Sequence, residues 1–298
     1  MRLSELPGIR NIRDYIRRKN ITQKKSFNLT LFVLTFISTL FMGSYFEGGD
    51  PIKNPLSIFL GLPYSFTLLA ILGAHETGHY LVCRRYNIPA TLPYFIPAPP
   101  PFILGTFGAV IKIKSRLPHR NALFDVGIAG PLAGLAVAIP ACFLGLMFSP
   151  VQVVGVGEQG LKLGDSLLFS LISYLVIGHV PKNYDVVLNS VAFAGWFGLL
   201  VTAFNLLPVG QLDGGHIIYS ILGKKAEILG KALLVVLLIL GFFWPGWFFW
   251  SLLLIILGFR HPPPVYDFIP LDRKRKILGA FILLIFILTF IPVPIEVY

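Results

Sequence analysis

Charge is what this chain of 298 residues has least of. Only 13% of it is Asp, Glu, Lys or Arg, against 55% hydrophobic residues and a mean hydropathy of +0.76. A soluble domain of this size cannot bury so much apolar surface, so the composition excludes one and implies a polytopic membrane protein. Cysteine is nearly absent: Cys83 and Cys142 are the only two and have no CxxC spacing. That excludes a disulfide framework or a thiolate metal cluster and leaves two reduced packing residues. Acidic residues number 14 against 25 basic ones, a net charge of +11. The basic residues nevertheless form no long face with interleaved aromatics, which speaks against a nucleic-acid partner. The first apolar run lacks a small-residue cleavage pattern after its basic leader and reads as a permanent span.

What the chain does have is long apolar runs. They predict an all-α polytopic fold with about six to seven transmembrane helices, near residues 28–46, 60–83, 122–147, 186–207, 226–243, 246–259 and 277–292. Residues 1–27 read as a basic cytosolic segment and 28–298 as one integral membrane domain. "WPGW" (Trp244 to Trp247) suits a tight hairpin between two of the runs. With the N-terminus in the cytosol, 22 of the 25 Lys/Arg fall inside and only Lys53, Lys162 and Lys182 outside. The cell membrane is the expected location. Segment 165–180 is apolar but short, and is expected to dip into or lie on the outer face. Residues 89–113 are dense in proline and then alternate apolar and basic from Val110. They predict a re-entrant, β-like segment, because irregular backbone at membrane depth must be buried in protein or line a cavity.

Between Leu60 and Val82 the only acidic, basic or imidazole side chains are His75, Glu76 and His79, in "GAHETGHYL". On a helix the two histidines project from one face and can converge on one metal, while Glu76 can reach a metal-bound water without ligating. By chance such a pattern arises roughly 0.002 times in a chain of this composition. The bland alternative is a polar knot pinning two helices. Zinc with two imidazoles and a water wants one more protein ligand. Asp125 reads as a helix-start carboxylate. Asp213, in "NLLPVGQLDGGHI", sits where Pro208, Gly210, Gly214 and Gly215 break the chain, and is the expected third ligand; its alternative is a helix cap. His216 is expected near the metal without ligating it, Cys83 as packing, and His119 as a solvated charge partner.

These motifs resemble the site-2 protease family of intramembrane zinc metalloproteases. HETGH (His75 to His79) matches its HExxH, "NLLPVGQLDG" (Asn205 to Gly214) its N-x-x-P-x-x-x-x-D-G signature, and "GIAGPLAG" (Gly127 to Gly134) its small-residue stretch. They anchor a catalytic core of about 60–220, most similar to the plant-plastid and cyanobacterial branch. The resemblance implies one Zn2+ held by His75, His79 and Asp213, with Glu76 as the catalytic base. It also implies hydrolysis of peptide bonds within or near transmembrane helices of membrane-protein substrates, the regulated intramembrane proteolysis of that family. Many members carry a PDZ domain between core spans, whereas the interval 149–185 is too short and apolar for one. Asn205 is a candidate donor to the transition state, or else an inter-helix hydrogen bond. Gly105, Thr106, Phe107 and Gly108 are candidate substrate contacts, through an edge strand that clamps an unwound substrate. The lipid bilayer is the other partner. A metal-ion transporter using the same His/Asp site is the rival reading; it would not need Glu76.

Overall fold

The computed structural model describes residues 25–297 apart from 101, 154–160 and 182. Most of the basic leader, residues 1–24, therefore lies outside the described residues. The described chain is mostly helical: α1 (Lys25–Phe46), α2 (Leu62–Arg85), α3 (Arg120–Met147), α4 (Leu167–Ile177), α5 (Ser190–Asn205), α6 (Asp213–Leu222), α7 (Ala226–Leu240), α8 (Gly246–Leu257) and α9 (Arg273–Thr289). A helix accompanies each of the seven apolar runs named above. Three helical stretches, Ser26–Phe46, Pro55–Arg85 and Arg120–Met147, are long and apolar enough to cross a membrane.

Starts and stops follow local chemistry. Asn189 accepts from Ala192 N–H (2.8 Å), Ser166 from Phe169 N–H (3.1 Å) and Asp272 from Arg275 N–H (2.9 Å). Each side chain meets a helix-start donor that has no partner within its own helix. His119 does the same for α3, accepting from Ala122 N–H at 3.1 Å, and its backbone pairs with Tyr266. It is a cap rather than the solvated charge partner expected of it. "WPGW" is a turn between α7 and α8. Trp247 is fully buried, its indole N–H donating to Pro292 O at 2.6 Å. Segment 165–180 forms the eleven-residue α4, packed through Phe169 and Ile172 against the helical core.

The proline-rich region makes the hairpin β1 (Tyr94–Pro97) and β2 (Thr106–Val110), antiparallel with Tyr94 opposite Val110 and an irregularity before Pro97. α1 covers one side of it. Asn28 Nδ2 donates to Pro93 O (2.9 Å) and Ser38 Oγ to Gly105 O (2.6 Å), while Tyr64 on α2 donates to Leu104 O (3.1 Å). These three carbonyls, at the start and turn of the hairpin, are thus paired inside protein, as irregular chain among apolar helices requires. Its φ of +68° and the α1 backbone 2.6 Å from where a Cβ would stand restrict position 105 to glycine. Two further small antiparallel sheets pair β3 (Val151–Val153) with β5 (Tyr184–Val186) and β4 (Leu161–Leu163) with β6 (Ile295–Val297).

The basic end is tied by ion pairs. Asp125 on α3 takes Arg275 Nε (2.6 Å) and Nη2 (2.5 Å) from α9 and the Tyr86 hydroxyl (2.6 Å) from the end of α2. Arg120 donates to Asp267 at 3.0 Å. Asp125 is therefore neither metal ligand nor helix-start charge: it joins three helix ends. Arg275→Ala is expected to lower the thermal midpoint in detergent. Asp125→Asn added to it should cost less than either change alone predicts, a coupling of about 0.5–3 kcal/mol in a double-mutant cycle.

Candidate metal centre

The site lies where α2, α3 and α6 meet. His75 and His79 stand one turn apart on α2, both buried, with their Nε2 atoms 3.1 Å apart. Asp213 is the first residue of α6 and makes no capping hydrogen bond there. Its carboxylate faces the imidazoles instead, Oδ2 3.2 Å from His75 Nε2 and Oδ1 3.3 Å from His79 Nε2. One ligand atom from each of the three residues lies within 4.8 Å of the other two. Bonds of about 2.0–2.1 Å to a tetrahedral zinc would set its ligands about 3.3–3.4 Å apart, so this donor set fits that ion.

Two further observations support the fit. His79 Nδ1 lies 2.7 Å from Val126 O, a distance that assigns the ring proton to Nδ1 and leaves Nε2 a bare lone pair facing His75 and Asp213. Asp213 Oδ2 is buried and, for all its closeness to His75, has no hydrogen bond of proper geometry. A lone pair and an unpaired carboxylate oxygen crowded together among apolar helices are costly unless a cation sits between them.

Glycines make the convergence possible. A Cβ at Gly130 of α3 would stand 2.0 Å from His79 Nε2, and one at Gly127 3.0 Å from both Asp213 O and His216 Cβ. At Gly134 the nearest atom would be His75 Nδ1, at 3.3 Å. On the α2 side, Gly78 lies against the Ala129 backbone. The "GIAGPLAG" stretch is the wall on which the imidazoles lie.

Glu76 is buried and lines, with His75 and Asn205, a cavity of about 1220 Å³. Thr106, Phe107 and Gly108 line the same cavity, together with Trp250 of α8. Gly105 does not line it; it forms the turn pinned to α1. Asn205 Nδ2 stands 3.4 Å from His75 Nε2, so it borders the metal donors. Cys83 is fully buried in a separate apolar cluster, away from the donor set. His216 points to His261, with His216 Nδ1 and His261 Nε2 2.5 Å apart, and His261 stacks on Tyr219. His261 carried no sequence signal, since it belongs to the loop between α8 and α9, 45 residues beyond His216.

The family described as "Peptidase family M50" matches residues 63–242. A protein of Arabidopsis thaliana described as "Probable zinc metalloprotease EGY1, chloroplastic" is 33% identical over 89% of this chain and 52% of its own length. Its rice counterpart is 35% identical over 67% of this chain and 38% of its own. A second Arabidopsis protein, described as EGY2 in the same words, is 33% identical over 78% and 42%. The chain thus spans about half or less of the length of these relatives.

Two outcomes follow. Gly130→Ala should lower bound zinc well below the wild type's one per chain, although alanine favours a helix by about 1 kcal/mol; Gly134→Ala should retain most of it. Zinc quantification of the purified variants reads the difference. Burial lowers the His261 imidazole from 6.5 to about 4, favouring the neutral ring in the folded protein. Its contribution to stability is present above pH 6.5 and lost as pH falls toward about 4. The thermal midpoint should therefore drop across that window, and less so in His261→Gln.

Proposed function

The chain belongs to peptidase family M50, and from that premise we propose that it is a zinc metallopeptidase that cuts membrane-protein substrates within or near their transmembrane helices. The observation that carries this reading is the juxtaposition of a buried three-donor metal site with Glu76, a carboxylate that faces the adjoining cavity. The rival transporter reading leaves Glu76 without a task and is not favoured.

His75, His79 and Asp213 would hold the zinc, which when bound would supply a Lewis acid that lowers the pKa of a water and polarises a scissile carbonyl. Glu76 takes the proton of the attacking water and returns a proton to the leaving amine. Its place one residue after His75 puts it on the cavity side while both imidazoles face α3 and α6. Val126 O holds His79 in the tautomer whose Nε2 can ligate. Asn205, whose Nδ2 borders the same ring nitrogens, is placed to donate to the carbonyl oxygen as it gains charge. A substrate helix hides its amides and must unwind; β2 then offers a strand edge along the cavity wall. The seven helices that accompany the apolar runs form one membrane domain around a core of about 60–220. Its basic end faces the compartment from which the chain is inserted.

Purified protein and a panel of single-span reporters test this. Wild type should cleave within a span. Glu76→Gln should keep its zinc and lose activity about 10²–10⁴-fold, the usual worth of a general base. Asp213→Ala should lose both. A Glu76→Gln variant that cuts like wild type sinks the assignment.

A further inference from the structure

The strand that lines the cavity runs on past Val110 toward the basic end. Ile113 bridges Ala90, Thr91 N–H donates to Lys112 O (3.0 Å), Lys114 N–H to Pro89 O (2.8 Å) and Lys112 N–H to Thr91 Oγ1 (2.9 Å). The backbone groups of Lys112 and Lys114 are therefore turned toward the inner strand. In an antiparallel ladder alternate residues face opposite edges, so Ile111 and Ile113 present theirs outward. That outer edge begins at the catalytic groove, because Val110 and Glu76 line the same cavity.

Side chains alternate as well. Ala109 and Ile113 pack on buried clusters beneath the hairpin, whereas Val110, Lys112 and Lys114 are exposed. On one face of the strand the exposed side chains thus change from apolar at Val110, which lines the cavity, to cationic at Lys112 and Lys114. Neither lysine joins an ion pair among the described residues.

We propose that Lys112 and Lys114 determine specificity, selecting substrates with Asp or Glu at two positions, two residues apart, on the basic-end side of the scissile bond. The inference rests on the peptidase reading. A substrate strand added to this edge would set the residues opposite Lys112 and Lys114 about 5 Å away, where opposite charges attract and like charges repel. The selection has a physical use. Membrane spans ordinarily carry Lys or Arg on the side from which they are inserted. Those flanks would meet Lys112 and Lys114 as like charges, so most spans in the same bilayer are rejected and the acidic-flanked minority is admitted.

The test uses the full chain in liposomes and one cleavable reporter in three forms, with Asp, Ala or Lys at the two flanking positions. Wild type should show kcat/KM for the Asp form roughly fivefold above Ala and the Lys form below it, an order that flattens at high salt. The Lys112→Glu/Lys114→Glu variant should invert the order. The ratio is measured within one preparation, so it does not depend on the folded fraction. Should that variant be inactive, Lys112→Gln/Lys114→Gln should bring the three forms together. Equal cleavage of all three by wild type, or an order unchanged in the variants, overturns the proposal while leaving the peptidase reading intact. If wild type cuts none of them despite bound zinc, both fall together.

Discussion

Two helices approach so closely at the metal centre that one of them must lack side chains there. His79 fills the space where a Cβ of Gly130 would stand, and its ring proton reaches the Val126 carbonyl on the same helix. That contact fixes tautomer, ring plane and lone-pair direction at once, since an imidazole with one nitrogen anchored has only the other to offer. The same face of α3 receives the Asp213 backbone at Gly127. Three helices are thereby held at separations that only small residues permit. With little hydrophobic drive between helices in lipid, such close contact is also what holds them together.

The buried ionisable groups are bearable in this setting because they are few and gathered together. Among the described residues the buried His and acidic side chains gather in the donor set with Glu76, while the His216–His261 pair and ion pairs such as Arg120–Asp267 and Arg275–Asp125 hold others that are partly buried. Buried charge is costly unless paired or bound to a metal. Asp125 and Asp213 show the two solutions: the first is met by an arginine and a tyrosine, the second by two imidazoles with room for a cation.

How much of this was legible in the sequence depended on spacing. His75, Glu76 and His79 declare themselves because a helical period places them together and lipid makes them conspicuous. Asp213 stood out because Pro208, Gly210, Gly214 and Gly215 break the chain around it, and the prolines and later alternation of 89–113 pointed to a β-like segment. Partners distant in sequence left no such mark. Arg275 looked like one more cytosolic charge until the fold set it against Asp125, 150 residues away, and His261 lay in an unremarkable loop. Nor could a pattern of small residues say which glycine lies under which imidazole, because that depends on how two helices rotate against each other.

The distribution of the donors along the chain has a consequence for assembly. Every residue that can hold the metal is present once α6 begins, whereas part of the cavity wall comes from Trp244 to Leu253 and from Pro294 and Ile295. The strand containing Ile295 pairs with β4, made more than a hundred residues earlier. Since chains are made and inserted from the N-terminus, the metal centre can form and load while the chamber beside it still lies open. Enclosure then comes last, so a half-made molecule has its reactive centre before it has a complete place to hold a substrate.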